Sequence, residues 1–310
     1  MSEAKVREVS RHSEVVQHTP SATRSAGATH PGYRREQNED AYWADEEKGI
    51  WVVADGLGGH HAGEIASQTV VEEIQQCAST DRHYERALQR AHALLLGDEH
   101  STANMGSTAV VLAEEGDYYH IYWVGDSRAY LWTPGDKNGE LSQLTSDHSY
   151  VQMLMDSGAI NSEEAATHPN RHVITRCIGG STNPKLEVDR VSHRWSSGQK
   201  LLLCSDGLSS EVPNEKINRI IAENPNNHQI VELLINAALD AGGKDNITVQ
   251  IIEAPAIAPP PSFSQESHSR TAQNETNGDS QSNRSWRPLL VLLAACGAIA
   301  ALAGGIFQLF

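Results

Sequence analysis

The apolar run Ile50-Trp51-Val52-Val53-Ala54 ends on Asp55 and passes straight into Gly56, Gly58, Gly59 and Gly63. A short continuous apolar run bounded by glycine reads as a strand buried in a core. Such a strand constrains the fold, because it needs a core around it. The chain has 310 residues, 39% of them apolar, which is enough to build one. The same stretch also points to a site. A buried strand that ends on a carboxylate delivers a charge to a fixed point, and the glycines after it let bare backbone approach whatever sits there.

The pattern recurs along the chain. Leu201-Leu202-Leu203-Cys204-Ser205 leads to Asp206-Gly207, and Ile121-Tyr122-Trp123-Val124-Gly125 leads to Asp126. Gly242-Gly243-Lys244-Asp245 precedes the strand-like segment from Ile247 to Ile252, and Glu39-Asp40 forms a further acidic pair. One aspartate at a strand end is ordinarily a turn former. Repetition at several strand ends points instead to carboxylates that converge. Without His or Cys partners they would repel one another unless a hard cation stood between them, and oxygen-only ligation suits Mg²⁺ or Mn²⁺.

Six segments then carry a family resemblance: Arg35-Glu36-Gln37-Asn38-Glu39-Asp40, Asp55-Gly56-Leu57-Gly58-Gly59-His60, Gly106-Ser107-Thr108-Ala109, Val124-Gly125-Asp126-Ser127-Arg128, Leu203-Cys204-Ser205-Asp206-Gly207-Leu208 and Gly243-Lys244-Asp245-Asn246-Ile247-Thr248. In this order they resemble the motifs of the PP2C-type (PPM) metal-dependent Ser/Thr protein phosphatases, and the Gly-Leu-Gly-Gly-His form is similar to the bacterial branch. The resemblance implies an α+β fold over residues 21–252, an α-β-β-α sandwich of two antiparallel sheets flanked by helix pairs. It implies two Mn²⁺ or Mg²⁺ ions with a third, weaker one, and attack on phosphoserine or phosphothreonine by water between the two metals. By position, Asp55 is the bridging carboxylate and Gly56 lends its carbonyl. Asp206 and Asp245 complete the first metal's shell, Glu39 and Asp40 orient metal-bound water, and Asp126 holds the third ion. Arg35 grips the substrate phosphate, for which a planar guanidinium is the right group. The chain departs from many eukaryotic members in having Leu57, not His, directly after Asp55-Gly56, so His60 is the candidate proton donor to the leaving alkoxide.

Two other functions compete. A catalytically dead, phosphate-recognising module would lack a ligand carboxylate, yet every expected position is filled. A metallohydrolase of small phosphoesters or nucleotides stays open, although the expected membrane anchor and the lack of a base-stacking motif favour protein substrates.

The spacing of Ile65, Ala66, Val70 and Ile74 predicts one amphipathic helix, and that of Tyr84, Leu88, Ala91, Leu94 and Leu95 predicts another. Residues 107–132 give three strand-like runs, and two late helices follow at about 214–222 and 229–241. The stretch 145–183 is the least regular, with a helix-like part at 150–158 between two polar clusters containing His148, His168 and His172. Their spacing matches no zinc pattern. In the resembled family this region is a flap that borders the active site.

The formal charge of -16 argues against a nucleic-acid partner. Four cysteines without disulfide or metal spacing suit a reducing compartment. Residues 1–20 read as a polar extension, and 253–288 as a disordered linker rich in Pro, Ser and Asn. Residues 289–310 carry no charge and span about 33 Å as a helix, the expectation for a C-terminal transmembrane helix. Arg284 and Arg287 before it place the catalytic domain on the cytoplasmic side of the inner membrane. The partners expected are phosphorylated proteins, a cognate Ser/Thr kinase and the membrane.

Overall fold

The computed structural model describes residues 24–58, 61–97, 105–180 and 185–256. The extension 1–20, most of the linker, the apolar segment 289–310 and His60 lie outside the described residues. Among the described residues no helix is long and apolar enough to cross a membrane.

Two antiparallel sheets form the centre. The first has the order β1 (Ser25–His30), β11 (Ile247–Glu253), β10 (Lys200–Cys204), β7 (Arg128–Thr133) and β8 (Glu140–Gln143). The second runs β2 (Asp40–Asp45), β3 (Ile50–Leu57), β5 (Ala109–Glu115), β6 (Tyr118–Val124) and β9 (Asp189–Arg194), with β4 (Gly106–Ser107) paired to the end of β3.

Alternation along the strands explains why the apolar runs are continuous. Successive side chains point to opposite faces of a sheet. In β3, Trp51 and Val53 pack with Leu201, Leu203 and Ile252 of the first sheet, while Ile50, Val52 and Ala54 face outwards to helices. In β10, Leu201 and Leu203 face inwards, and Leu202 and Cys204 meet the helices on the other side. Both strands are therefore apolar on both faces, and each Val, Ile or Leu among these side chains contributes about 1.5–3 kcal/mol on full burial.

Helices α1 (His61–Ala78) and α2 (Tyr84–Gly97) cover the second sheet. After α3 (Tyr150–Asp156) and α4 (Ser162–Thr167), helices α5 (Asp206–Ser209), α6 (Asn214–Glu223) and α7 (Asn227–Asp240) cover the first. This is the layer order that the resemblance implied. Two details correct the helix stripes. Ile65 is 52% exposed and Leu94 is 54% exposed, whereas the buried stripes run through Ala66, Val70 and Ile74 and through Ala87, Leu88 and Ala91. Both residues lie beside those stripes, where only solvent remains to face them. Within 145–183, α4 was not anticipated, although Asn161 and Glu164 form a capping box at its start, a pattern legible in sequence.

Antiparallel pairing brings the acidic strand ends to one edge. Asp40 at the start of β2 stands opposite Asp55 near the end of β3. Across the sandwich, Cys204 at the end of β10 pairs with Val249 near the start of β11, so Asp206 and Asp245 flank neighbouring strand ends.

Candidate metal centre

Opposed residues in an antiparallel pair have side chains about 4.5–5.5 Å apart, and like charges there destabilise. Asp40 and Asp55 occupy such a pair. Asp40 Oδ2 accepts from Ser205 Oγ at 2.8 Å and from Thr248 Oγ1 at 2.6 Å. Both donors belong to the first sheet or its exit, so this carboxylate ties the two sheets together. Its Oδ1 is buried with no protein partner.

Asp55 is fixed through its backbone. Its N–H donates to Thr108 Oγ1 at 3.0 Å, and its carbonyl accepts from Thr108 N–H at 2.8 Å and Ser107 Oγ at 3.1 Å. At the next residue the chain passes so close to α1 that a Cβ on Gly56 would lie 2.0 Å from the Gly63 carbonyl oxygen. Glu39 is packed into the same crossing, its Cδ 2.7 Å from where a Gly63 Cβ would stand, and its carbonyl accepts from Gly56 N–H and Ser67 Oγ. Asn246 pins the adjoining loop, accepting from Glu39 N–H at 2.7 Å and donating to the carbonyls of Pro31 and Gln37.

The electrostatics record the convergence. Asp55 has its carboxyl pushed well above the usual range, first by desolvation and then by the charges of Asp40, Asp206, Asp126 and Asp245. Burial pushes Asp40 up to about 7, against the pull of its two hydroxyl donors. Asp126 is raised to about 8 by burial, with Asp206 and Asp147 adding to it, and its Oδ1 also lacks a protein partner. Five aspartates predicted from sequence as ligands or water-orienting groups thus share one field. Among the described residues no three His, Cys, Asp or Glu side chains close to ligating distance of a single point. The all-oxygen donor set and the two orphaned carboxylate oxygens fit hard divalent cations.

Arg35 reaches this cluster. Its Nη2 donates to Asp245 Oδ2 at 2.8 Å while the side chain stays half exposed. Its pKa is raised, chiefly by that bond. Residues without an assigned role also gather here. Ser205, Thr248 and Thr108 sit inside the recognised motifs, and a buried hydroxyl next to a strand-end acid was the signal available. His172 Nδ1 lies 3.6 Å from Asp206 Oδ2, within ion-pair range, and the carboxylate beside it raises its pKa. No spacing marked His172, because the contact is made by folding the flap over the strand ends. His148 is buried and does not join the aspartates.

A family model described as Protein phosphatase 2C matches residues 27–239. The serine/threonine phosphatase stp of Listeria monocytogenes is 34% identical over 241 residues, covering 73% of this chain and 93% of that protein. The serine/threonine protein phosphatase PstP of Mycobacterium tuberculosis is 34% identical over 239 residues, covering 74% of this chain and 45% of that protein. The chain thus matches about half the length of that relative. A crystal structure of the PstP catalytic domain in complex with two manganese ions is similar with a TM-score of 0.66 at 30% identity, over 74% of this chain and 96% of that one.

The raised carboxyl groups fix the sign of a pH effect. Where folding raises a carboxyl pKa, the native state binds more protons than the unfolded state, so stability falls as pH rises from the unfolded value of about 4 through the folded one. With Asp40 near 7 and Asp126 near 8, metal-stripped protein is expected to lose thermal stability between pH 5 and pH 8. Asp126→Asn removes one charge from the cluster and is expected to raise Tm at pH 8, by about 2–4 °C for each kcal/mol of repulsion relieved, with little effect at pH 5. Calorimetric melts of chelator-treated protein at the two pH values measure this, and an unchanged Tm at pH 8 would separate Asp126 from the cluster.

Proposed function

Since the chain belongs to the protein phosphatase 2C family, we propose that it is a metal-dependent protein serine/threonine phosphatase that hydrolyses phosphoserine and phosphothreonine in proteins. The observation that carries this reading is the field at Asp55, in which four other aspartates from both sheets act on one carboxylate. An arrangement so costly to hold without cations is poised to take them.

In this reading Asp55, the Gly56 carbonyl, Asp206 and Asp245 would hold the two ions, and Asp126 would hold a third, weaker one. Bound divalent cations would acidify water and neutralise charge on the phosphoryl oxygens. Glu39 and Asp40 orient water, and Asp40 is suited to it by having Oδ2 fixed by two hydroxyls and Oδ1 left for a further donor. Arg35 spends one nitrogen on Asp245 and keeps the rest of its fork for a phosphate oxygen. His60 is the proposed proton donor. A Ser/Thr protein kinase is the expected source of the substrate phosphate.

Hydrolysis of phosphothreonine peptides by the purified protein is expected to need added Mn²⁺ or Mg²⁺ and to stop in excess EDTA. Full turnover in EDTA would sink the proposal.

Arg35→Ala is expected to raise KM for a phosphopeptide roughly 10- to 150-fold, the worth of one charge-assisted contact at about 1.5–3 kcal/mol. Because Arg35 also touches Asp245, calorimetric Mn²⁺ binding belongs in the same experiment. A shift in the Mn²⁺ constants with KM untouched would move Arg35 from phosphate binding to support of the metal ligand.

For localisation, the sequence of 289–310 and the arginines before it support tethering to the cytoplasmic face of the inner membrane. Deleting 285–310 is expected to move the protein from the membrane pellet to the supernatant without changing kcat on a small peptide. Full-length protein found wholly in the supernatant would remove the anchor.

A further inference from the structure

The turn that carries Asp126 is held on both sides, at Gly125 and at Arg128, by one dipeptide, Asp147-His148. On one side the His148 N–H donates to the Gly125 carbonyl at 2.9 Å, and the Gly125 N–H donates back to His148 Nδ1 at 3.0 Å. On the other, Asp147 receives Arg128 through both oxygens, at 2.9 and 3.1 Å from Nε and 2.7 Å from Nη2. Between them Ser127 Oγ meets Thr108 Oγ1 at 2.7 Å, the hydroxyl that also accepts the Asp55 N–H. The turn has no slack. Gly125 has φ of +102°, and a Cβ there would lie 2.6 Å from Thr108 Cγ2.

The position of the imidazole hydrogen follows from these bonds. A backbone N–H can only donate, so Nδ1 is the acceptor and a neutral ring carries its hydrogen on Nε2. Nε2 faces Asp189 Oδ2 at 3.2 Å, while Arg176 Nη1, which can only donate, stands 3.0 Å from Nε2 as a donor set against it and donates to Asp189 Oδ1 at 3.0 Å, so the shared carboxylate offsets that contact. Two donors therefore converge on the Asp189 carboxylate, at the first residue of β9. The ring is buried and stacked on Trp123, with centroids 6.3 Å apart and planes 19° apart. Burial lowers its pKa, which keeps it neutral. Both ring nitrogens are used, so His148 is neither a spare metal ligand nor a proton carrier.

We propose that His148, held in its Nε2–H form by Asp189, is a positioning residue that sets the Asp126 carboxylate against the other aspartates and thereby the affinity of the weakest cation at the site. The proposal rests on the metal-dependent reading above. Its particular claim is that the acceptor at Nδ1 matters because it fixes the Gly125–Asp126 turn.

Two substitutions separate the two ring atoms. The amide oxygen of His148→Asn can stand where Nδ1 accepts from Gly125, whereas His148→Gln reaches Asp189 and leaves the Gly125 N–H without an acceptor. Calorimetric Mn²⁺ titration of the full chain is expected to show the weakest constant about tenfold poorer in His148→Gln, the scale of one lost hydrogen bond. In His148→Asn it should return to within about threefold of the unsubstituted protein, with the tighter constants unchanged in both. Nitrogen-15 spectra of the unsubstituted, metal-stripped protein are expected to place the His148 hydrogen on Nε2. Equal loss in both variants, loss at all Mn²⁺ constants in step with a fall in Tm, or a hydrogen on Nδ1 would overturn the proposal. Unsubstituted protein that takes up no Mn²⁺ would instead overturn the metal-dependent reading and this consequence with it. The parent titration thus tells the two failures apart.

Discussion

Mutual repulsion among aspartates at one edge of a sandwich is the constraint around which this molecule is arranged. Asp55 feels four other carboxylates, and desolvation compounds the cost. The groups placed beside them offset it without cancelling it. Asp40 receives two neutral hydroxyls in place of a lysine or arginine. Arg128, two residues from Asp126, is turned away to Asp147. Among the described contacts Arg35 is the one arginine or lysine bonded to this set of aspartates, and it is half exposed; the other neighbour that can carry charge is His172, 3.6 Å from Asp206. The negative field is thus preserved for a ligand that carries concentrated positive charge. The hydrophobic sandwich supplies the stability against which that field is maintained.

Much of this was legible in sequence because the chemistry is concentrated at strand ends. Ile50 to Ala54 and Leu201 to Cys204 are apolar on both faces because each sheet has a second layer on either side, and the acid after each run is where the strand leaves the core. The layer order followed from the family resemblance, with which the runs and the helical stripes are compatible. What escaped reading depends on contacts between distant residues. Ser205 and Thr248 meet Asp40 across 165 and 208 positions, and no local pattern encodes that meeting. His172 reaches Asp206 only because the flap folds back. Ile65 and Leu94 misled because hydropathy gives a residue's preference, whereas the neighbouring layer decides which side of the helix has a partner.

The region read as least regular turns out to be built in two parts. Its outer part, α3, α4 and the loop after them, presents Tyr150, Met153 and Val173 to solvent. Its root, at half-buried Asp147 and buried His148, is fastened by backbone and side-chain bonds to the β6–β7 turn and to β9. The flap can therefore differ at its tip without disturbing Asp126.

The bond from Asp40 to Ser205 and Thr248 crosses from one sheet to the other, and the remaining acids are likewise divided between the sheets. Neither sheet alone owns a complete constellation. A chain in which only one sheet has formed holds half of the acids and has nowhere to retain an ion. Docking of the two halves is thus what assembles the set of acids, so the capacity to hold an ion reports on the finished fold and on neither sheet alone.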